Sequence, residues 1–534
     1  MTAADPSRAP AGRPDRSWLL VALAALAPAV FALSSDNIWE DFFITYRCSL
    51  NLVHGHGFVF EPGRVLHVFT SPLGTLIPAG LSALFRTDDP HVVIDAFRVC
   101  ACAALAAAWL LAAGRLESRA ARAVAGGLWL LDPKLAAFST NGMETAFLVL
   151  WVVLAWRALA DGDLRLAGLA LGGAMWTRPD GFVFVGALAA SAWLLRPELR
   201  WQWGGWARLA GWALLLYLPW LLWAWWYYGS PVPHTILAKS GVVGSSGQLA
   251  GLVTFPLRLV AGRTALDDAF LPPYFYFGGW PRYLWLWGKL ISLAALAAVC
   301  WPRCARPARI AGIAFLLGGL YLEVTPRAPW YFPAWQVLGY LAVGGLAAAL
   351  ADALKSAGNW PQRALGAVAA VAVAVQAALF AGVAFQLREQ QRLIEWGVRA
   401  SLGRDLREWA RGPGDTVFLE PLGYIGFFSG LAMRDTPGLC SPEVVALRRE
   451  GKRTMAELSL ALRTDWVVLR DSEFVAMSDA ERQGFGRAYR LWAEYDVRRQ
   501  VDSAAFLPGR GFLRYDAHFL LWRRIGDDVP RDPR

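Results

Sequence analysis

Two adjacent carboxylates, Glu40 and Asp41, follow closely on the first apolar stretch, Ser17–Leu33. Behind them in the same segment come Arg47, Asn51, His54, His56, His67, Thr70 and Ser71, with Gly55, Gly57 and Gly63 interspersed. A lone acid past an apolar helix usually caps the next helix. A segment that only joined two helices would not need this density of polar groups. A carboxylate at a water–membrane boundary can serve as a general base, taking a proton from an acceptor hydroxyl while an anionic group departs. Such a leaving group calls for fixed cations. Arg178, Lys239 and Arg327 fall between apolar stretches, where the plainer role of a cation is to anchor the interface.

Three further motifs carry candidates. "NGMET" places Asn141 and Glu144 at capping-box spacing, so the pair reads either as a helix start or as part of a site. "TRPDGF" sets Arg178 and Asp180 in a tight turn between apolar stretches; the turn explains the proline and glycine but not a costly charged pair. "SPVPHTILAK" carries His234 and Lys239 on a proline-pinned segment. His54, His56 and His67 could hold a divalent cation with Asp41, although loop histidines more often hydrogen-bond or stack. Cys48, Cys100, Cys102, Cys300, Cys304 and Cys440 form no CxxC pair, so a zinc site is not expected. A Cys48–Cys440 disulfide is one option for those two thiols. No phosphate-cradling glycine loop or dinucleotide fingerprint occurs.

The elements that position these groups follow from composition. Of 534 residues 56% are hydrophobic and only 18% charged, with a mean hydropathy of +0.35. Soluble domains carry roughly a quarter charged residues, so a polytopic membrane protein in a lipid bilayer is expected. Spans are read at 17–34, 92–113, 122–139, 143–160, 165–177, 180–195, 207–228, 284–300, 308–323, 331–351 and 363–385, about eleven helices. The first lacks a small-residue cleavage site and reads as a retained helix. Pro72–Phe85 is apolar but short and rich in proline and glycine, which suits a helix lying at the interface. The 28 tryptophans suit membrane boundaries. A net charge of +10, dispersed among the apolar stretches, gives no footprint for nucleic acid.

Arginine placement orients the chain. Arg8, Arg13 and Arg16, then Arg115, Arg119 and Arg122, then Arg196, Arg200 and Arg208, then Arg303, Arg306 and Arg309 all fall on one side if 72–85 does not cross. That side is cytoplasmic by the positive-inside rule. The expected domains are a cytoplasmic 1–16, a transmembrane 17–385 with extracytoplasmic loops 35–91 and 229–283, and an extracytoplasmic cap, 386–534. The cap holds 24 Lys or Arg and 22 Asp or Glu, about half the chain's charge in its last 149 residues. Its probable helices (Gln386–Arg411, Glu443–Gly451, Met455–Arg463) and strand-like runs ("TVFLE", "DWVVL", "FLLWRRI") predict a small α/β domain.

"EDFFITYRCSLNLVHGHGFVFEPG" followed by "TSPLGTL" resembles the first extracytoplasmic loop of GT-C type integral-membrane glycosyltransferases, and most nearly those related to the terminal β-(1→2)-arabinofuranosyltransferases. "NGMETAF", "TRPDGF", "YYGSPVPHTILAK", "RAPWYFP" and "LEPLGYIGFFSGLAMRDTPGL" continue the likeness in order. It implies transfer of a sugar, arabinofuranose being one option, from a polyprenyl-phosphate donor to a glycan, lipid or protein acceptor. The setting would be the outer face of a bacterial inner membrane. It also implies Asp41 as catalytic base with Glu40 as its neighbour, and Lys239 and Arg327 at the donor phosphate. Arg47, Asn51, Thr70, Asn141, Glu144, Arg178, Asp180 and His234 would bind substrate. No cofactor is certain, and a divalent cation is one option. The chain departs from the pattern where Gly74 replaces a tryptophan, where Pro62–Val68 loses an acid, and where His234 replaces an asparagine. An oligosaccharide ligase of the same fold is the alternative. A lipid-linked sugar flippase fits less well, because flippases place charges inside their spans.

The topology makes a direct prediction. In a background without native thiols, single cysteines placed within 386–526 should react with an impermeant reagent added from outside. Those placed within 118–121 should react only after permeabilisation. The reverse pattern would overturn the arginine-based orientation.

Overall fold

The computed structural model describes residues 17–116, 118–240, 246–325, 327–504 and 506–526. Its first helix, α1, is Ser17–Ser35. The chain then bends by 97° into α2, Glu40–Val53. The stretch expected as an irregular loop is therefore largely helical. Trp39 sits at the N-cap and the two acids occupy the first turn, where the helix dipole favours negative charge. Phe42, Phe43, Tyr46 and Ser49 of α2 are buried. Pro72–Phe85 forms a third helix, α3, started by Ser71, whose hydroxyl accepts the Gly74 N–H at 2.8 Å, and by Pro72 at the first helical position. Ser49 Oγ donates to Thr75 O at 2.7 Å and ties α2 to α3.

Every segment read as a span is helical, with one interruption. The expected 122–139 is broken into Arg119–Leu130 and Pro133–Thr140. Apolar length concealed a stop-and-start signal. Pro133 lacks the N–H needed to continue a helix, and Asp132 caps the new one by accepting Leu135 N–H at 2.6 Å. Pro90–Ala113, Trp203–Tyr228, Pro333–Ala353 and Asn359–Trp409 are each long and apolar enough to cross a membrane alone. Two further spans arise if each bent pair, α1 with α2 and Pro133–Thr140 with Thr145–Asp161, is counted as one.

The boundary expected at 386 falls inside the unbroken helical run Asn359–Trp409. That run carries the chain directly into a five-stranded sheet of order β2-β1-β3-β5-β4. Its strands are β1 Thr416–Leu419, β2 Ala432–Asp435, β3 Trp466–Arg470, β4 Tyr489–Asp496 and β5 His518–Arg524. β1, β2 and β3 are parallel; β5 runs antiparallel to β3 and to β4. The three strand-like runs of the sequence became β1, β3 and β5. β2 and β4 were not anticipated, because "AMRD" and "YRLWAEYD" carry charge on an edge. Cys48 and Cys440 are both buried and free, so the disulfide option is not realised. Cys440 instead donates to Asp435 Oδ1 at 3.1 Å.

The cap is joined to α2 by buried charge. Arg399 Nη1 donates to Glu40 Oε2 at 2.6 Å, and Arg399 Nη2 to Asp516 Oδ2 at 2.6 Å. Arg470 continues the chain to Asp516 at 2.5 Å and to Glu420 at 2.6 Å. Removing one partner from such a network leaves charges buried and uncompensated. Arg399→Leu should therefore lower folding stability by about 3–5 kcal/mol, read as a fall in Tm and faster proteolysis of the cap. Arg482→Ala, whose partner Asp479 is 98% exposed, should melt like the parent.

Candidate active site

Successive residues of an α-helix are rotated by about 100°, so Glu40 and Asp41 face different surroundings. Glu40 turns to the cap, where its Oε1 also accepts the Gly423 N–H at 2.5 Å. Asp41 turns into a cavity of about 420 Å³. That cavity is also lined by Thr70, Glu144, Arg178, Asp180 and Lys239. Trp330 and Tyr331 close one side of it.

The lining charges differ in how far they are satisfied. Arg178 Nη1 donates to Glu144 Oε1 at 3.1 Å, and its Nε donates to Asp180 Oδ1 at 2.9 Å. Its guanidinium lies 4.8 Å from the Tyr331 ring centroid. One cation is thus held by two acids and an aromatic face. Among the described residues, the Asp41 carboxylate accepts no hydrogen bond and Lys239 Nζ donates none. Burial pushes the Asp41 carboxyl above the ordinary aspartate range, while Lys239 and Arg178 pull it back.

The structure divides the twelve candidates. Asp41, Thr70, Glu144, Arg178, Asp180 and Lys239 share the cavity. Glu40 does not reach it. Arg47 donates to Gly426 O at 2.7 Å and to Leu431 O at 3.1 Å, fastening α2 to the cap. Asn51 donates to Val59 O at 2.8 Å and to Phe60 O at 3.1 Å, holding the segment that follows α2. Asn141 caps locally, its Oδ1 accepting Met143 N–H at 3.2 Å and its carbonyl accepting Trp39 N–H at 2.9 Å. No capping box forms with Glu144, which itself occupies the N-cap of Thr145–Asp161 and spends its carboxylate on Arg178. The His234 N–H donates to His67 O at 2.8 Å, and its side chain stays outside the cavity.

Arg327 lies elsewhere. Its guanidinium bonds Asp268 at 3.0 Å and Glu323 at 2.5 Å, beside a neighbouring cavity of about 290 Å³. Trp330 lines both cavities. The expected pairing of Lys239 with Arg327 at one phosphate is thus not formed. A loop cation near an aromatic–proline run could not reveal in the sequence that distant Asp268 would claim it.

The lining groups missed include Thr45, Thr235 and Tyr321. Thr45 stands four residues after Asp41, the spacing that shares a helix face, so recognising α2 as a helix would have found it. Nothing in the sequence marked the other two. The histidines do not gather around Asp41. His54 pairs with Asp88 at 3.0 Å, and His67 is buried with its ring stacked 4.4 Å from Tyr228. Glu144 and Asp180 are committed to Arg178. Among the described residues, the one cluster with metal-ligand spacing is Glu494, Asp496 and His518 in the cap. Among the described residues, no three metal-ligating side chains meet around Asp41.

Comparison with known proteins bears on the fold. The computed structure superposes on ArnT from Cupriavidus metallidurans, solved bound to undecaprenyl phosphate, with a TM-score of 0.53 at 15% identity, covering 97% of this chain and 100% of that one. The two proteins share a fold. The archaeal oligosaccharyltransferase AglB from Archaeoglobus fulgidus, solved with an inhibitory peptide and a dolichol-phosphate, gives a TM-score of 0.55 at 12% identity over 91% of this chain and 74% of that one. In sequence, the terminal β-(1→2)-arabinofuranosyltransferase of Corynebacterium glutamicum is 27% identical over 293 residues, 47% of this chain. The matched region spans 41% of that relative's length. Residues 386–517 match a domain of unknown function, DUF8728. In sequence this chain thus matches part of an arabinofuranosyltransferase, and in fold it follows ArnT and AglB over most of its length.

A raised Asp41 pKa has a stability consequence. In the folded state the ionised form is disfavoured relative to the unfolded chain, so folding loses stability above the ordinary aspartate pKa and the loss is complete above the raised one. Asp41→Asn removes that cost. Its Tm at pH 7 should equal or exceed that of the parent, and the difference should shrink as pH falls toward 4. A clear drop in Tm at pH 7 would show that the Asp41 carboxylate supports the fold.

Proposed function

We propose that this chain transfers a sugar from a polyprenyl-phosphate carrier to an acceptor hydroxyl of the cell envelope, with Asp41 as the base. One observation carries this reading: an unpaired, partly buried carboxylate and an unpaired lysine face a single cavity in a GT-C fold. Asp41 takes the proton of the acceptor hydroxyl. The freed oxygen forms a bond to the anomeric carbon, and the bond from that carbon to the phosphate oxygen breaks. The departing lipid phosphate keeps the electron pair, and Lys239 neutralises it. Burial supports the first role: it makes the carboxylate a better base near neutral pH.

Arg178 has a different part. With both Glu144 and Asp180 bound, it braces the cavity wall and adds little net positive charge. Trp330 and Tyr331 offer aromatic surface to the sugar or to the first isoprene units. A cavity of about 420 Å³ lies near the lower end of the roughly 300–1,000 Å³ of small-ligand sites. That size favours a single sugar with its phosphate over a preassembled oligosaccharide, and so a transferase over an oligosaccharide ligase. The arabinofuranosyltransferase relative makes a pentofuranose the first donor to test. On this reading the cap and the cavity share one side, since Glu40 joins the cap and Asp41 faces the cavity; the arginine pattern supports an extracytoplasmic side at the inner membrane.

With a purified donor and acceptor, Asp41→Asn should cut kcat by roughly 10²–10⁴-fold, the contribution typical of a positioned base. Lys239→Ala should lower kcat/KM for donor by roughly tenfold or more, as expected from losing about 1.5–3 kcal/mol of a charge-assisted bond. Arg327→Ala should affect donor less, because Asp268 and Glu323 already occupy that guanidinium. Activity needs the Asp41 carboxylate ionised, so kcat/KM should fall on the acid side at a pH above the ordinary aspartate value of 3.8. Removing Lys239 should move that fall to still higher pH. Full activity in Asp41→Asn would overturn the assignment.

A further inference from the structure

The cap has a second cleft, of about 430 Å³, at the end of its sheet remote from α2. Four arginines line it: Arg411, Arg463, Arg523 and Arg524. Arg490 stands next to it at the start of β4, its guanidinium 5.0 Å from the Trp492 ring. Against these cations there are two carboxylates, Asp415 and Asp465. Asp465 is fully used: it receives Arg411 Nη2 at 2.5 Å, Arg524 Nη2 at 3.1 Å and the Thr416 N–H at 3.0 Å. Asp415 accepts the Trp466 indole N–H at 3.1 Å and the Arg411 backbone N–H at 3.1 Å.

Among the described residues, Arg463, Arg490 and Arg523 form no ion pair. Arg490 Nη2 is buried without a hydrogen-bond partner. Arg523 is held between two indoles, 5.1 Å from the Trp466 ring and 4.7 Å from that of Trp492. Burial, with Arg411 and Arg490 nearby, pushes its guanidinium below the ordinary arginine range. Arg463 occupies the left-handed position after the helix Met455–Leu462, with φ of 51°, a place that glycine usually fills. Like charges collected on a rigid frame, without counter-charges, are the usual sign of an anion site.

The place of the cleft narrows the ligand. The C-terminal ends of β1 and β3 deliver Glu420 and Arg470 to the junction with Glu40. The cleft lies at the opposite ends, where Trp466 pairs with Arg523 and Tyr489 with Arg524. The length of β5, about 20 Å, separates the two. A lipid headgroup of the same bilayer is therefore poorly placed to reach it. The two aspartates disfavour a dense polyanion such as nucleic acid, yet leave acceptors for hydroxyl groups. We infer that the distal cleft of the cap binds an anionic glycan, holding carboxylate or phosphate groups of a sugar chain on Arg463, Arg490 and Arg523, apart from the Asp41 cavity. The choice of a glycan rests on the transferase reading; the choice of an anion rests on the cleft alone. Such a site would hold an acidic envelope polymer beside the enzyme while transfer proceeds elsewhere.

The test uses the full chain in nanodiscs of zwitterionic lipid, with trigalacturonate as probe and maltotriose as neutral control, read by calorimetry and by tryptophan fluorescence. Trigalacturonate should bind saturably and more weakly as salt rises, and maltotriose should not bind. Arg523→Ala and, separately, the exposed Arg463→Ala should each weaken binding about tenfold with an unchanged Tm. Arg463 lies on the surface, so its variant keeps the test valid if Arg523→Ala misfolds. Asp41→Asn should bind as the parent does, so loss of transfer and loss of this site are separable. The inference is overturned if the parent shows no saturable binding, if maltotriose binds equally, if both arginine variants retain full affinity, or if inorganic phosphate displaces the probe at the probe's own concentration.

Discussion

The Glu40 carboxylate is the joint on which the rest of the molecule turns. It accepts Arg399 on one oxygen and the Gly423 backbone on the other. Through Arg399 it is linked to Asp516, Arg470 and Glu420 of the cap. The approach is so close that a Cβ on Gly423 would sit 2.0 Å from Glu40 O, so no other residue fits there without moving α2. Burying this many charges costs free energy that only complete mutual satisfaction offsets. What the arrangement yields is position. With residue 40 clamped and the helix rigid, residue 41 has one direction to face, and that direction is the cavity.

The cavity shows the opposite treatment of charge. Glu144, Arg178 and Asp180 satisfy one another, while Asp41 and Lys239 are left open. A protein that held a transient anion, as proposed, could not spend all its charges internally. The cost of leaving two groups unsatisfied is a local loss of stability, and the buried network beneath α2 is well placed to bear it. Lys239 sits at the end of a short helix, His234–Ser240, behind Pro231 and Pro233. Its backbone is constrained while its side chain remains exposed, which suits a cation that must meet an incoming headgroup.

How much of this was legible in the sequence depended on whether the signal was local. Apolar length located the apolar helices to within a few residues, because such a segment must satisfy its own backbone; among the described residues four of them are long and apolar enough to cross a membrane alone. The Asp132–Pro133 break is equally local and was readable, but the surrounding run of apolar residues outweighed it. Strand signals were clear where both faces are buried, as in β3, and lost where an edge strand carries charge, as in β4. The cavity charges Asp41, Arg178 and Lys239 were visible as charge where charge is expensive. Arg47, Glu40 and Arg327 carried the same signal and came to rest in structural bonds, because their partners lie far along the chain: Gly426, Arg399 and Asp268. Sequence proximity to apolar segments reveals that a charge needs a partner; it does not reveal whether the partner is protein or substrate.

The departures from the motif pattern take on meaning in this light. The pattern has a tryptophan where this chain has Gly74. Here that position faces the cap of α3 and the wall of the cavity: a Cβ at Gly74 would lie 2.7 Å from Ser71 Oγ and 3.3 Å from Glu144 Cβ. A bulky side chain could not enter without displacing the serine that starts α3 or the glutamate that holds Arg178. The wall of the Asp41 cavity here is thus lined by Ser71 and Glu144, with no indole at position 74. An indole contributes a flat apolar face for a sugar ring; a hydroxyl and an ion pair offer polar edges in its place. The shape that receives the acceptor or donor sugar must differ accordingly, even where the groups proposed to perform the chemistry stay the same.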